Sequence, residues 1–110
     1  MSNEDMSTKT LGEKLRELRE AKNLPLRKIS AILDVDVAIL SKMERGERRL
    51  TKNIIMQLAE IYHYNSEELL ILYLCEKILF EIKGEDLGEK ALDVANKRVK
   101  ILKENKYNGD

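Results

Sequence analysis

Residues 35–49 read Val-Asp-Val-Ala-Ile-Leu-Ser-Lys-Met-Glu-Arg-Gly-Glu-Arg-Arg, and their side chains divide into two kinds of chemistry. Val37 and Ala38 put small apolar groups at the start of a helical run, where a surface helix ordinarily carries polar ones. Ser41 and Lys42 follow further along the same short run. Arg45, Arg48, Arg49 and Lys52 follow, and together with Lys42 they face only Glu44 and Glu47 in opposite charge. Clustered guanidinium and ammonium groups are suited to phosphate. The apolar tip can only press on another apolar group.

No competing chemistry stands out elsewhere. His63 is the only histidine, sits beside Tyr62 and Tyr64, and has no nucleophile or ligand at useful spacing. It reads as a partly exposed packing residue. Cys75 stands mid-helix among leucines, where a thiol is ordinarily a small inert hydrophobe. No metal-ligand cluster and no phosphate-binding glycine loop occurs. The expectation is therefore no catalytic residue, no metal, no cofactor and no enzyme.

The elements that hold the basic and apolar groups are expected to be helices, since no stretch of any length shows strand alternation. Thr10-Leu-Gly-Glu13 has capping-box spacing and opens the first, with Leu11, Leu15 and Leu18 on one stripe. Asn23 suits its C-terminal cap. Pro25 suits the first turn of a second helix, Leu26 to Leu33, which turns Leu26, Ile29 and Leu33 inward. Asp34 tolerates a left-handed turn, Asp36 caps a third helix starting at Val37, and Gly46 ends it. Val35 and Leu40 have the spacing of a hydrophobic staple. A fourth helix starts near Thr51 and buries Ile54 or Ile55, Leu58 and Ile61. Asn65 or Ser66 caps a fifth, from about Glu67 to Lys83, ended by Gly84. Asp86-Leu-Gly-Glu89 opens a sixth that runs to about Asn105.

Two helices joined by a tight turn, the second short and exposed, describe a helix-turn-helix, whose second helix enters the DNA major groove. The stretches LGEKLRELREAKNL, LRKISAILDVD and VAILSKMERGERR, closed by IIMQLAEIYHYNSEEL, resemble the Cro/C1-type (XRE-family) helix-turn-helix domain of phage repressors and bacterial regulators. The resemblance spans residues 11–70. It implies an all-α, lambda-repressor-like domain of about five helices with a C-terminal helical extension. It makes Val37, Ala38, Ser41 and Lys42 the base-reading residues of a recognition helix. It places Arg27, Arg45, Arg48, Arg49 and Lys52 on DNA phosphates and pairs Arg19 with Glu44 in a structural ion pair. Two positions depart from the family, which often has glutamine where Leu26 and Val37 stand. Val37 and Ala38 can instead press on a thymine methyl, so the apolar tip reads T, or a 5-methyl group generally.

Composition agrees. The formal charge is zero, yet Lys9 to Lys52 holds 12 Lys/Arg against seven Asp/Glu, and Asn53 to Asp110 eight against 11. A neutral chain with one basic half expects an anionic partner for that half. With 43% hydrophobic residues, one proline and five glycines, the 110 residues suit a small helical domain plus an appendage. No apolar run approaches the roughly 20 residues of a membrane span. The start, MSNEDMSTKT, is unlike a leader, and a single cysteine fits a reducing compartment, so a cytoplasmic protein is expected.

Helix five is apolar nearly all round, and such a helix must be buried nearly all round. Residues 9–66 are therefore expected to read DNA and 67–105 to dimerise, with Leu69, Leu72, Tyr73, Ile78 and Leu79 in the interface of a homodimer. The alternative is a monomer that folds helix six over helix five. The expected function is a sequence-specific regulator of transcription, a repressor or autoregulator, that binds a palindromic operator in double-stranded DNA. The competing class is a protein-interaction module, such as an antitoxin with its toxin partner, or the controller of a restriction–modification system. RNA polymerase is the further partner of an activating relative. Loss of nucleic-acid binding with salt separates the first class from the second.

Overall fold

Six helices run along the residues that the computed structural model describes, 8–108, with side chains to 106. They are α1 (Leu11–Ala21), α2 (Leu26–Leu33), α3 (Val37–Glu44), α4 (Lys52–Ile61), α5 (Ser66–Ile82) and α6 (Gly88–Asn108). No strand occurs among the described residues, so the chain is all-α. Residues 1–7, most of the polar start MSNEDMSTKT, lie outside them.

Local sequence accounts for most helix starts. The Thr10 hydroxyl accepts from the Glu13 N–H at 3.1 Å while the Thr10 N–H donates to Glu13 Oε1 at 3.0 Å, closing a capping box. Asp36 accepts from the Ala38 N–H at 2.8 Å and Thr51 from the Ile54 N–H at 3.2 Å. Asn65, not Ser66, caps α5, its Oδ1 accepting from the Glu67 N–H at 2.8 Å and the Glu68 N–H at 3.4 Å.

The first four helices end alike. A left-handed residue follows each: Asn23 (φ 55°), Asp34 (58°), Gly46 (77°) and His63 (52°). At α1 the Asn23 N–H donates to Glu20 O and the Leu24 N–H to Arg19 O, a Schellman pair that recurs after α2, α3 and α4. Asparagine and aspartate tolerate this backbone through short side chains that bond locally.

The core gathers Leu11 and Leu15 of α1, Ile29 and Leu33 of α2, Leu40 and Met43 of α3, and Ile55, Leu58, Ala59 and Tyr62 at α4. Ile55 is the buried isoleucine of α4, whereas Ile54 and Ile61 are only partly covered. Leu69 and Leu72 of α5 complete the core at 0% and 4% exposure. At that burial they have almost no surface to offer another subunit. Tyr73 packs against the same core from its edge.

The chain divides into two compact units, one ending at Lys77 and the other beginning at Ile78. The first runs well past residue 66, because its core takes in part of α5. In the second, Ile78, Leu79 and Phe80 are exposed, and so is every described side chain of α6 from Glu89 to Lys106.

Within the first unit three further contacts set the helices. At Gly12, α1 meets the end of α3 so closely that a methyl group there would lie 2.8 Å from both the Met43 oxygen and the Glu44 carbonyl carbon. Only glycine permits that approach. The Glu76 carboxylate of α5 accepts from the Leu11 N–H at 2.6 Å, placing negative charge at the positive end of α1. Lys14 lies over the Tyr64 ring with its Nζ 4.9 Å from the centroid, a cation–π contact.

Candidate nucleic-acid interface

Helices α1 and α2 both pack on α3, and the 3.6-residue period decides which side of α3 they cover. Leu40, Met43 and Glu44 face inward. Val37, Ala38 and Lys42 face outward and are exposed, with Val37 at 42%, and Ser41 is half-buried beside them. An α-helix with its side chains is about 10–12 Å across, and the major groove is about 12 Å wide. The outward face of α3 can therefore enter the groove tip first while its other face stays in the core.

The polar groups on this face are partly engaged already. One oxygen of Asp36 is held by the cap. The Arg45 guanidinium donates to Ser41 Oγ and, through Nε and Nη2, to the two Glu47 oxygens at 3.1 and 3.2 Å. The bond from Arg45 holds the Glu47 carboxyl below the usual carboxylate range. Arg27 on α2, and Arg48, Arg49 and Lys52 beyond α3, are exposed. At the tip, Val37 and Ala38 supply methyl groups alone.

Behind the outward face, the far end of α3 is clamped. Arg19 Nε donates to Glu44 Oε2 at 2.8 Å, Nη2 to Oε1 at 3.0 Å, and Nη1 to the Leu24 carbonyl at 2.8 Å. The two side chains are 10% and 6% exposed. Their fork-to-fork geometry fixes orientation as well as distance. The Glu44 bond raises the Arg19 pKa above its ordinary value against the opposing effect of burial. Close by, burial and the Glu44 charge push the Tyr62 phenol well above its usual pKa, and its hydroxyl has no hydrogen-bond partner among the described residues. Glu44 thus holds α3 to α1 twice, by its carboxylate at Arg19 and by its backbone against Gly12.

Sequence reasoning did not single out Gly12, Glu76 or Tyr62. Gly12 carried a signal, since a glycine inside a helix costs about 0.5–1 kcal/mol relative to alanine and calls for a close neighbour. Nothing in the sequence pointed Glu76 at residue 11.

Residues 15–69, half of the chain, match the helix-turn-helix family model HTH_3. The chain belongs to the helix-turn-helix family. It is a lambda-repressor-like, Cro/C1-type (XRE) member, and such domains are DNA-binding regulators of transcription. The matched span contains α2, the turn and α3, together with Arg19 and Glu44, and stops before α6. No curated protein and no solved structure matches the chain. Among the described residues no helix is long and apolar enough to cross a membrane, and no His/Cys/Asp/Glu group could hold a metal ion.

Proposed function

We propose that this helix-turn-helix protein is a cytoplasmic repressor or autoregulator that binds a palindromic operator as a homodimer and reads bases with α3. The observation that carries the reading is the outward face of α3, where methyl groups lead and exposed basic residues follow. Val37, Ala38, Ser41 and Lys42 meet base edges, because the N-terminal residues of a recognition helix reach deepest into the groove. Arg27, Arg45, Arg48, Arg49 and Lys52 meet phosphates on either side, and neutralising phosphate supplies most of the affinity. Repression follows from occupancy: a promoter covered by the protein is closed to polymerase.

Dimerisation rests on the second unit, whose exposed Ile78, Leu79, Leu92 and Leu102 make too much apolar surface for a soluble chain to leave in water. Two-fold pairing places two α3 helices about 34 Å apart, one turn of DNA, hence a palindrome. Selection of bound sequences from random double-stranded DNA, followed by a salt titration of the winner, tests the function. The expected result is an inverted repeat bound with steep salt dependence. Selection that enriches no sequence overturns the reading.

A further inference from the structure

Helix α6 has no packed face. Every described side chain from Glu89 to Lys106 is exposed, including Leu92, Val94, Val99, Ile101 and Leu102. At 21 residues it is about 31 Å long, and a helix without tertiary packing is marginal in water. Leu92, Ala95, Val99 and Leu102 fall on the a and d positions of a heptad, which is the pattern of a helix seeking another helix.

Its charges are sorted by position. Before residue 97 the helix holds two acids, Glu89 and Asp93, and one base, Lys90; from Lys97 to Lys106 there are five bases and one acid. The helix dipole favours such sorting only within the first and last turns. Asp93, Lys97, Arg98 and Lys100 lie in the middle, where the dipole offers no reason for it. One flank of the apolar stripe carries Glu89 and Asp93 in its first half and Lys100 and Lys103 in its second.

We propose that α6 pairs antiparallel with α6 of a second copy of this chain, Glu89 and Asp93 of each lying on the partner's basic second half. This rests on the homodimer of the reading above. The stripe is symmetric about residue 97, so a two-fold axis there brings Leu92 to the partner's Leu102 and Ala95 to the partner's Val99. On the charged flank Glu89 then meets the partner's Lys103. Parallel pairing would lose that contact and set the two basic second halves side by side. Burying the leucines drives association, and the charges choose the direction.

Sedimentation of the unmodified chain comes first, and a dimer is expected. Directed disulfide formation then reports orientation, with Cys75→Ser as background. Chains carrying Glu89→Cys alone or Lys103→Cys alone are expected to stay unlinked on oxidation, and their mixture to give a covalent dimer. A monomer in sedimentation overturns both the homodimer and this pairing. A dimer in which Glu89→Cys links to itself overturns the antiparallel direction and leaves the homodimer standing. A dimer in which neither the single chains nor the mixture link overturns α6 as the contact. As a second variant, Glu89→Lys with Asp93→Lys is expected to raise the dimer dissociation constant at least tenfold at low salt, and an unchanged constant overturns the role of charge.

Discussion

Removing Glu44 alone is expected to cost far more than removing the ion pair it belongs to. The carboxylate holds Arg19 through two bonds, of 2.8 and 3.0 Å, between side chains only 6% and 10% exposed. In Glu44→Ala the guanidinium keeps just its bond to the Leu24 carbonyl, in a place largely closed to water. Stripping one partner from a buried pair costs about 3–5 kcal/mol. The surviving bond and the slight exposure of Arg19 put this case at the lower end, about 3 kcal/mol. Each kcal/mol lowers the melting temperature of a domain this size by about 4–8 °C, so a fall of about 12–24 °C is expected. Arg19→Met together with Glu44→Leu removes both charges and refills the space, and is expected to lie within about 1 kcal/mol of the parent. Urea unfolding of the parent, Arg19→Met, Glu44→Leu and the double change, followed by circular dichroism, closes a double-mutant cycle with an expected coupling of about 2 kcal/mol or more. Losses that simply add would show that the pair does not hold α3 to α1.

Gly12→Ala pushes a methyl group into the backbone of Met43 and Glu44, which cannot give way as a side chain could; a loss of about 2 kcal/mol in urea melts is expected, and a neutral result would refute the close approach. Arg49→Ala should weaken binding to all DNA sequences about equally and lower the salt slope by roughly one, whereas a preference lost at a single base position would mean that α3 sits differently. Uracil in place of the thymine facing Val37 should cost around 1 kcal/mol, and Val37→Ala should erase the difference; equal binding of uracil and thymine at every operator position would show that the tip reads no methyl. Tyr62→Phe removes a buried hydroxyl without a partner and should stabilise the fold by about 1 kcal/mol at neutral pH. The native Tyr62 phenol titrates above the unfolded value of 10.0, so its contribution is intact below pH 10.0 and drains away as the pH climbs beyond it. Urea melts at rising pH should therefore fall less steeply in Tyr62→Phe, and identical slopes would place the phenol elsewhere.

Features made within a few residues were legible in the sequence. Thr10, Asp36, Thr51 and Asn65 cap the helices they precede because hydroxyl, carboxylate and amide oxygens reach an N–H two or three residues on. The outward residues of α3 came from the family resemblance. The faces of α5 did not, since apolar residues at consecutive positions from Leu69 to Leu74 leave no stripe to read. Which of them turn inward depends on the rest of the domain, and Leu69 and Leu72 go to the core while Ile71 and Leu74 stay exposed. The bond between Glu76 and Leu11 joins residues 65 apart, beyond any local rule. Arg19 and Glu44 were two charges among 40 until the family resemblance joined them. Arg45 and Glu47 meet past the end of α3, where the spacing rules for helix neighbours no longer apply.

That last contact makes Glu47 a tethered competitor for whatever anion Arg45 is to hold. A carboxylate two residues away along the chain acts at an effective concentration of millimolar or more. A dilute anion in free solution must displace it without help and gains little by doing so. In the proposed complex a DNA phosphate would be in a different position, because insertion of α3 would hold it against the guanidinium and give it a high local concentration of its own. Arg45 would then change partner late, after the helix had entered the groove. The exchange would also return Glu47 to water beside a negatively charged backbone, so the same carboxylate that engages Arg45 in the free chain would loosen the proposed complex.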